Sequence, residues 1–339
     1  MNITSYPIIT IAMPIKNRAW ALPYILKSIE GQDYPKELIK LVFVDNYSTD
    51  ETYDIISKWI TERGQQYHGV VLVREEGNIA HLRNKCLELA EGKYVLFWDS
   101  DMVAPKFAVR RMVEVAESRG SSITVATFKY ADVDYVPRIE SLEDIIPETV
   151  AVKGAGTGFT LIRIDIAKQV GGFNEKLSIG EDTDFSLKVT EKIKRPILRV
   201  NVEVLHLKHR DTLIPRAGQS MKLWLKYNFT RRSDEYLDSF RSLPRRLKLR
   251  IIYWLSLPLI VISTFIVLTS QVAYLFKVFM LVLFALYISL SVYPSIKEQN
   301  FIGGMKTWIT FNLPTGISLS YGIAFKVLKR LAKLLTLQV

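Results

Sequence analysis

The chain has 339 residues, 49% of them hydrophobic and 23% charged, with a formal net charge of +11. That is enough for one large domain or two smaller ones around a sizeable core. A single cysteine, Cys86, excludes an intramolecular disulfide and agrees with a reducing compartment. The basic excess suits nucleic acid or an anionic membrane surface, and the lack of any RNA- or DNA-reading motif argues against the first.

In chain order, MNITSYPIITIAMPIKNR has no basic start and too short an apolar core for a secretory signal. The sequons at Asn46 and Asn228 are therefore expected to be silent. Apolar runs predict strands over 8–13, 40–45, 70–73 and 93–98, and helical patterns fill 19–31, 50–63 and 79–91. This alternation predicts a doubly wound, mostly parallel sheet whose ligands bind at the carboxyl ends of the strands. A helix follows Pro105 over 103–118, and a strand follows over 123–128. Residues 130–152 read as acidic and irregular. GAGTGF (154–159) leads into the apolar TLIRI, then a helix, GGFNE, the helix start GEDTDFSLKVTEK (180–192) and a strand ending near His206.

Further on, twelve Lys and Arg against four acids between Lys208 and Arg250 place +8 of the charge just ahead of two uncharged apolar runs. Those runs, 251–269 and 272–294 (the second extended back across Lys277), approach the ~20 residues that span a bilayer and predict a helical hairpin turning at Ser270 and Gln271. The expected organisation is a catalytic domain over 1–215, a basic juxtamembrane segment over 216–250 and a membrane region over 251–339. Residues 305–335 are expected as an interfacial or re-entrant segment with a basic amphipathic tail. The basic belt attracts anionic lipid and keeps residues 1–250 on the cytoplasmic side, so an integral membrane protein is expected.

Several side chains fall where chemistry is expected. Asp99 and Asp101, two residues apart at a strand end, repel each other unless a cation sits between them. A hard divalent ion, Mn2+ or Mg2+, would also hold a diphosphate there; helix capping, the plainer explanation, needs only one carboxylate. Asp45 at another strand tip is free either to accept from a nucleobase N–H or ribose hydroxyl, or to brace its loop. Ser48 and Glu51 read as a capping box, which makes Ser48, Asp50 and Glu51 structural. Glu181, Asp182 and Asp184 open a helix, where acids favour the positive dipole end and where one carboxylate is available as a general base. His206 and His209 would suit a mixed oxygen and imidazole site for Mn2+. GAGTGF lacks the strand and helix spacing of a phosphate loop and reads as an acceptor loop.

Taken together, PIKNR (14–18), VDNYSTDET (44–52), HLRNKCLELAEGKYVLFWDSD (81–101), GGFNE (171–175) and GEDTDFSLKV (180–189) resemble the inverting glycosyltransferase family 2 with the GT-A fold, over about residues 7–210. The resemblance implies that Pro14 and Asn17 line the nucleotide cleft, that Asp45 contacts the base and that Arg83 lies near the nucleotide. It implies that Asp99 and Asp101 form a DxD whose last member binds Mn2+ or Mg2+ beside the diphosphate, with His206 completing the metal site. Asp182, next to Glu181 in the ED motif, is implied as general base. The partners implied are a UDP- or GDP-sugar donor and a lipid-linked or glycan acceptor, with membrane lipids against the basic belt and no nucleic acid. The chain lacks the Q-x-x-R-W signature of processive synthases, which points to single-sugar transfer. A polyprenyl-phosphate glycosyl synthase is the nearer alternative, although such enzymes usually lack the ED motif. A haloacid-dehalogenase-like phosphatase also fits VLFWDSDMV, with Asp99 as nucleophile, but almost a hundred residues of nucleotide-domain pattern come first. A transporter or membrane scaffold is disfavoured by so small a hairpin.

Overall fold

The computed structural model describes residues 6–144, 149–152, 156–177 and 180–207. The chain divides between Arg210 and Asp211 into two units, and all described residues belong to the first. The expected membrane spans at 251–269 and 272–294, the segment at 305–335, the basic belt and His209 lie outside the described residues. Among those described, no helix is long and apolar enough to cross a membrane.

The strands are β1 (Ile9–Ile15), β2 (Ile39–Asp45), β3 (Gly69–Arg74), β4 (Tyr94–Trp98), β5 (Met102–Val103), β6 (Ile123–Ala131), β7 (Thr149–Val152), β8 (Phe159–Arg163) and β9 (Ile197–Leu207). The helices are α1 (Leu22–Glu30), α2 (Thr52–Arg63), α3 (Ile79–Leu89), α4 (Ala108–Arg119), α5 (Val136–Glu140), α6 (Ile164–Gln169) and α7 (Glu181–Ile193). β1, β2 and β4 are buried along their whole length, as strands covered by helices on both faces must be. Period-two alternation divides the strand side chains between two cores. Ile9, Ile11 and Met13 meet Ile25, Ile29, Trp59 and Met112 of α1, α2 and α4 on one face. Ala12, Val42 and Val95 meet Cys86, Ala167 and Phe185 of α3, α6 and α7 on the other. Each fully buried Ile or Leu among them contributes ~1.5–3 kcal/mol of transfer free energy.

The strands run in the order β3-β2-β1-β4-β8-β6-β9-β5, with β7 against β9. β1, β2, β3 and β4 pair in parallel, as expected. The remainder corrects the mostly parallel expectation: β4–β8, β6–β8, β5–β9 and β7–β9 are antiparallel, and only β6–β9 is parallel. Strand–helix alternation enforces parallel pairing through crossover helices. Between β6 and β8 the one described helix, α5, has only five residues, so that rule lapses.

The chain winds from β1 outward to β2 and β3, then returns to β4 on the other side of β1. A crevice therefore opens where the winding reverses. Its floor is set by pairing lengths: β1–β4 pairing ends at Ala12–Phe97, whereas β1–β2 continues to Ile15–Asp45. Pro14, which has no N–H to donate, lies beyond the last β4 partner, where its loss costs nothing.

Candidate active site

Asp99 follows β4 and does not continue it. The Met102 N–H donates to the Asp99 carbonyl at 3.0 Å, closing a turn with Ser100 and Asp101 at its centre. In that turn the two carboxylates meet different partners. Asp99 faces α3 and accepts from Arg83 Nη2 at 3.4 Å. Asp101 faces β9, with its Oδ1 2.9 Å from His206 Nε2 and its Oδ2 3.5 Å from Arg18 Nη2. Leu207 N–H donates to the Asp101 carbonyl at 2.8 Å, which fixes the end of β9 against the turn. Sequence alone groups Asp99, Asp101 and His206 as one ligand set. The structure instead pairs Asp101 with His206 and Asp99 with Arg83, and among the described residues no three His, Cys, Asp or Glu side chains converge as a metal cage.

Arg83 links the parts. Projecting from α3, it is 5% exposed, donates from Nη1 to Glu181 Oε1 at 2.7 Å and packs its guanidinium over the Phe173 ring at 5.6 Å. Burial opposes its charge, but Asp99, Glu181 and Asp182 together outweigh that cost and hold the guanidinium more firmly protonated than usual. For Glu181 the balance runs the other way: burial and the Asp182 charge push its carboxyl up, against the pull of Arg83. Glu181 is therefore the anchor of α7, and the adjacent, half-buried Asp182 is the group available to a substrate. Asp182 Oδ1 accepts from the Thr183 N–H at 2.6 Å, which leaves Oδ2 to face the glycine stretch.

That stretch brings the two acidic motifs together. A Cβ on Gly156 would lie 3.5 Å from Asp182 Oδ2, and one on Gly158 would lie 2.9 Å from Asp99 Oδ2 and 2.5 Å from Met102 Cε. Gly158 also accepts from the Asp99 N–H through its carbonyl at 2.7 Å. Two residues of extended chain span at most ~7 Å, so Asp99 and Asp182 open onto the same crevice. The described part of GAGTGF is thus a packing spacer between the motifs, a role not evident from its sequence; residues 153–155 lie outside the description.

On the β1–β2 side, Asp45 is fully buried and acts as a brace. It accepts from the Ser48 N–H and hydroxyl, and Arg74 Nε lies 3.3 Å from its Oδ2. The expected capping box is not formed, because Ser48 is drawn to Asp45 and α2 starts only at Thr52, whose N–H donates to Asp50 Oδ1 at 3.1 Å. Asn17 adopts a left-handed φ of 51° and accepts from the Thr49 N–H at 2.9 Å, clipping the end of β1 to this loop. Three residues here are given no role by the sequence: Arg18, which reaches Asp101; Arg74, stacked 4.0 Å over Tyr53; and Tyr47, 55% exposed with φ 47°. A nucleotide-binding reading of PIKNR could have singled out Arg18, whereas Tyr47 becomes visible only through its exposure.

Asp101 and His206 offer one hard oxygen and one imidazole nitrogen within 2.9 Å of each other. That pair would suit Mn2+, with Asp101 as the hard oxygen donor that Mg2+ also favours. A strand-end carboxylate pair, a buried arginine and an acidic helix start lie around one switch-point crevice, and the family model for glycosyl transferase family 2 matches residues 10–171. A stretch of 162 residues, just under half of the chain, is therefore similar to glycosyl transferase family 2. Among curated relatives, the poly(ribitol-phosphate) beta-glucosyltransferase of Bacillus spizizenii is 26% identical over 212 residues, 60% of this chain and 32% of that protein. The poly(ribitol-phosphate) beta-N-acetylglucosaminyltransferase TarS of Staphylococcus aureus is 26% identical over 185 residues, 53% of this chain and 32% of that protein. The chain thus spans about a third of the length of these relatives. A mannosyltransferase from Pyrobaculum calidifontis, solved with GDP-Man and Mn2+, superposes with a TM-score of 0.61 over 95% of this chain and 88% of its own, at 18% identity, which establishes a shared fold.

Proposed function

We propose that this protein is a membrane-anchored, metal-dependent inverting glycosyltransferase. It moves one sugar from a nucleoside-diphosphate sugar to a hydroxyl of a lipid-linked or cell-surface glycan. The observation that carries this reading is the buried Arg83, which ties the DxD turn to the ED helix across a single crevice. Asp182 takes the proton from the acceptor hydroxyl, whose oxygen attacks the anomeric carbon from the face opposite the leaving group. The bond from that carbon to the β-phosphate oxygen breaks, the electron pair leaves with the nucleoside diphosphate, and one displacement inverts the configuration. Asp101 and His206 would hold Mn2+ or Mg2+, which would supply positive charge to the departing diphosphate. Arg18, on the same carboxylate, adds a fixed positive charge near those oxygens. Asn17 and Pro14 shape the cleft, and Asp45 orients the base-side loop through Ser48 and Arg74. The names of the relatives, which describe transfer to poly(ribitol-phosphate), support a hydroxyl as the accepting group. The basic stretch ahead of the two apolar runs supports anchoring with this domain on the cytoplasmic face.

The test is release of nucleoside diphosphate from a panel of UDP- and GDP-sugars with MnCl2 or MgCl2 and a membrane lipid extract. Turnover is expected to need the metal and to vanish in Asp101→Asn. Asp182→Asn is expected to bind donor nearly normally and to lose transfer by about 10²–10⁴-fold, the range for a positioned general base. Turnover retained in chelator, or equal loss of donor binding in Asp182→Asn, contradicts the assignment.

A further inference from the structure

We propose that the Phe128 ring, packed edge to face against Tyr130, forms an acceptor subsite that stacks one face of a pyranose ring. This deepens the reading above and rests on it. Among the described residues only four large hydrophobic side chains are exposed, and two of them are Phe128 (46%) and Tyr130 (37%). Two apart on β6, they project from the same face of the sheet. Their rings meet edge to face at 5.5 Å, and the Tyr130 ring lies 4.8 Å from the imidazole of His206, its register partner on β9. His206 in turn contacts Asp101 at 2.9 Å. An exposed aromatic surface therefore runs directly into the polar centre of the crevice.

The shape of that surface selects its occupant. Large exposed aromatics cost free energy in water, and a pair of them beside a polar site marks a binding surface. A pyranose offers a flat patch of C–H groups on one ring face and hydroxyls at its rim, which matches aromatic rings bordered by an imidazole and a carboxylate. A lipid chain needs a longer apolar track, and here His206 and Asp101 interrupt it immediately beyond Tyr130. Seated on Phe128, a sugar ring would direct a rim hydroxyl past Tyr130 toward the crevice in which Asp182 lies.

The experiment is saturation-transfer NMR on the full chain in detergent, with methyl β-glucoside and methyl N-acetyl-β-glucosaminide as cyclic probes and ribitol as the acyclic control. Ring C–H protons of the glycosides are expected to receive saturation from the unmodified protein and from Phe128→Trp. Phe128→Ala should lose about fivefold, as removal of one ring stack implies, and ribitol should show little. Equal signals from ribitol, signals unchanged in Phe128→Ala with Phe128→Trp folded normally, or no glycoside signal at all would each overturn the proposal. UDP and GDP binding with MnCl2, followed by calorimetry in the same samples, tests the donor site separately. Failure there sinks the donor reading and leaves the stacking result to stand or fall alone.

Discussion

Gly158 shows how tightly single residues are constrained in this site. A side chain there would meet Met102 Cε at 2.5 Å and Asp99 Oδ2 at 2.9 Å. The methionine methyl can swing aside at little cost, but Asp99 cannot move without leaving Arg83. Gly158→Ala is therefore expected to keep the fold, with stability changed by about 1 kcal/mol, while turnover falls about a hundredfold from sub-ångström misplacement of the carboxylate. Urea unfolding and nucleoside diphosphate release together check this; a variant with unimpaired turnover contradicts the spacer role. Legibility at this scale is uneven. Asp99, Asp101, Glu181 and Asp182 announce themselves because paired carboxylates at element ends need an explanation. Ser48 misleads, because a capping pattern and a brace for Asp45 use the same letters and only the competing hydrogen bond decides. The turn in which Asp99 and Asp101 meet different partners is closed by a single hydrogen bond, which has no signature of its own in DSD.

Among the elements, α3 carries both the site arginine and a titrating latch. Asn78 caps the helix by accepting from the His81 N–H at 2.9 Å. The His81 ring is held between Glu75 at 2.9 Å and Glu175 at 3.0 Å, joining the loop after β3 to the GGFNE segment. Hydrogen bonds to Glu75 and then Glu175 hold the imidazolium and raise its pKa above 6.5. A group whose affinity for a proton rises on folding stabilises the fold below its unfolded pKa. That contribution fades as pH climbs through the raised value. Thermal melts of the unmodified protein and His81→Gln are thus expected to differ most below about pH 6.5 and to converge in alkaline solution. The effect will be modest because the ring is partly exposed, and a difference that grows with pH contradicts it. Helices were readable here from period and strands from apolar runs, but their ends were not. The helix expected from 103 starts at Ala108 because Met102 and Val103 pair with Leu205 and His206 of β9, and because Ala104 precedes proline and stays extended. β5 and β7, two and four residues long, are too short to show a period.

At the scale of the whole molecule, four parallel strands and their helices create the crevice, and the antiparallel second half delivers His206, Gly158 and the ED helix to it. The first half was legible because strand–helix alternation leaves few alternatives. The strand order of the second half depends on pairings between residues 35 to 104 apart, which no local pattern encodes. Nucleoside diphosphate is expected to bind at the β1/β4 switch point. Backbone hydrogen exchange on the full chain, with and without UDP or GDP in the presence of MnCl2, measures this most directly. Protection is expected in peptides covering 14–18, 45–49 and 99–103 and little change in α4 or in the far ends of the strands. Protection confined to other segments, or none with either nucleotide, would contradict it.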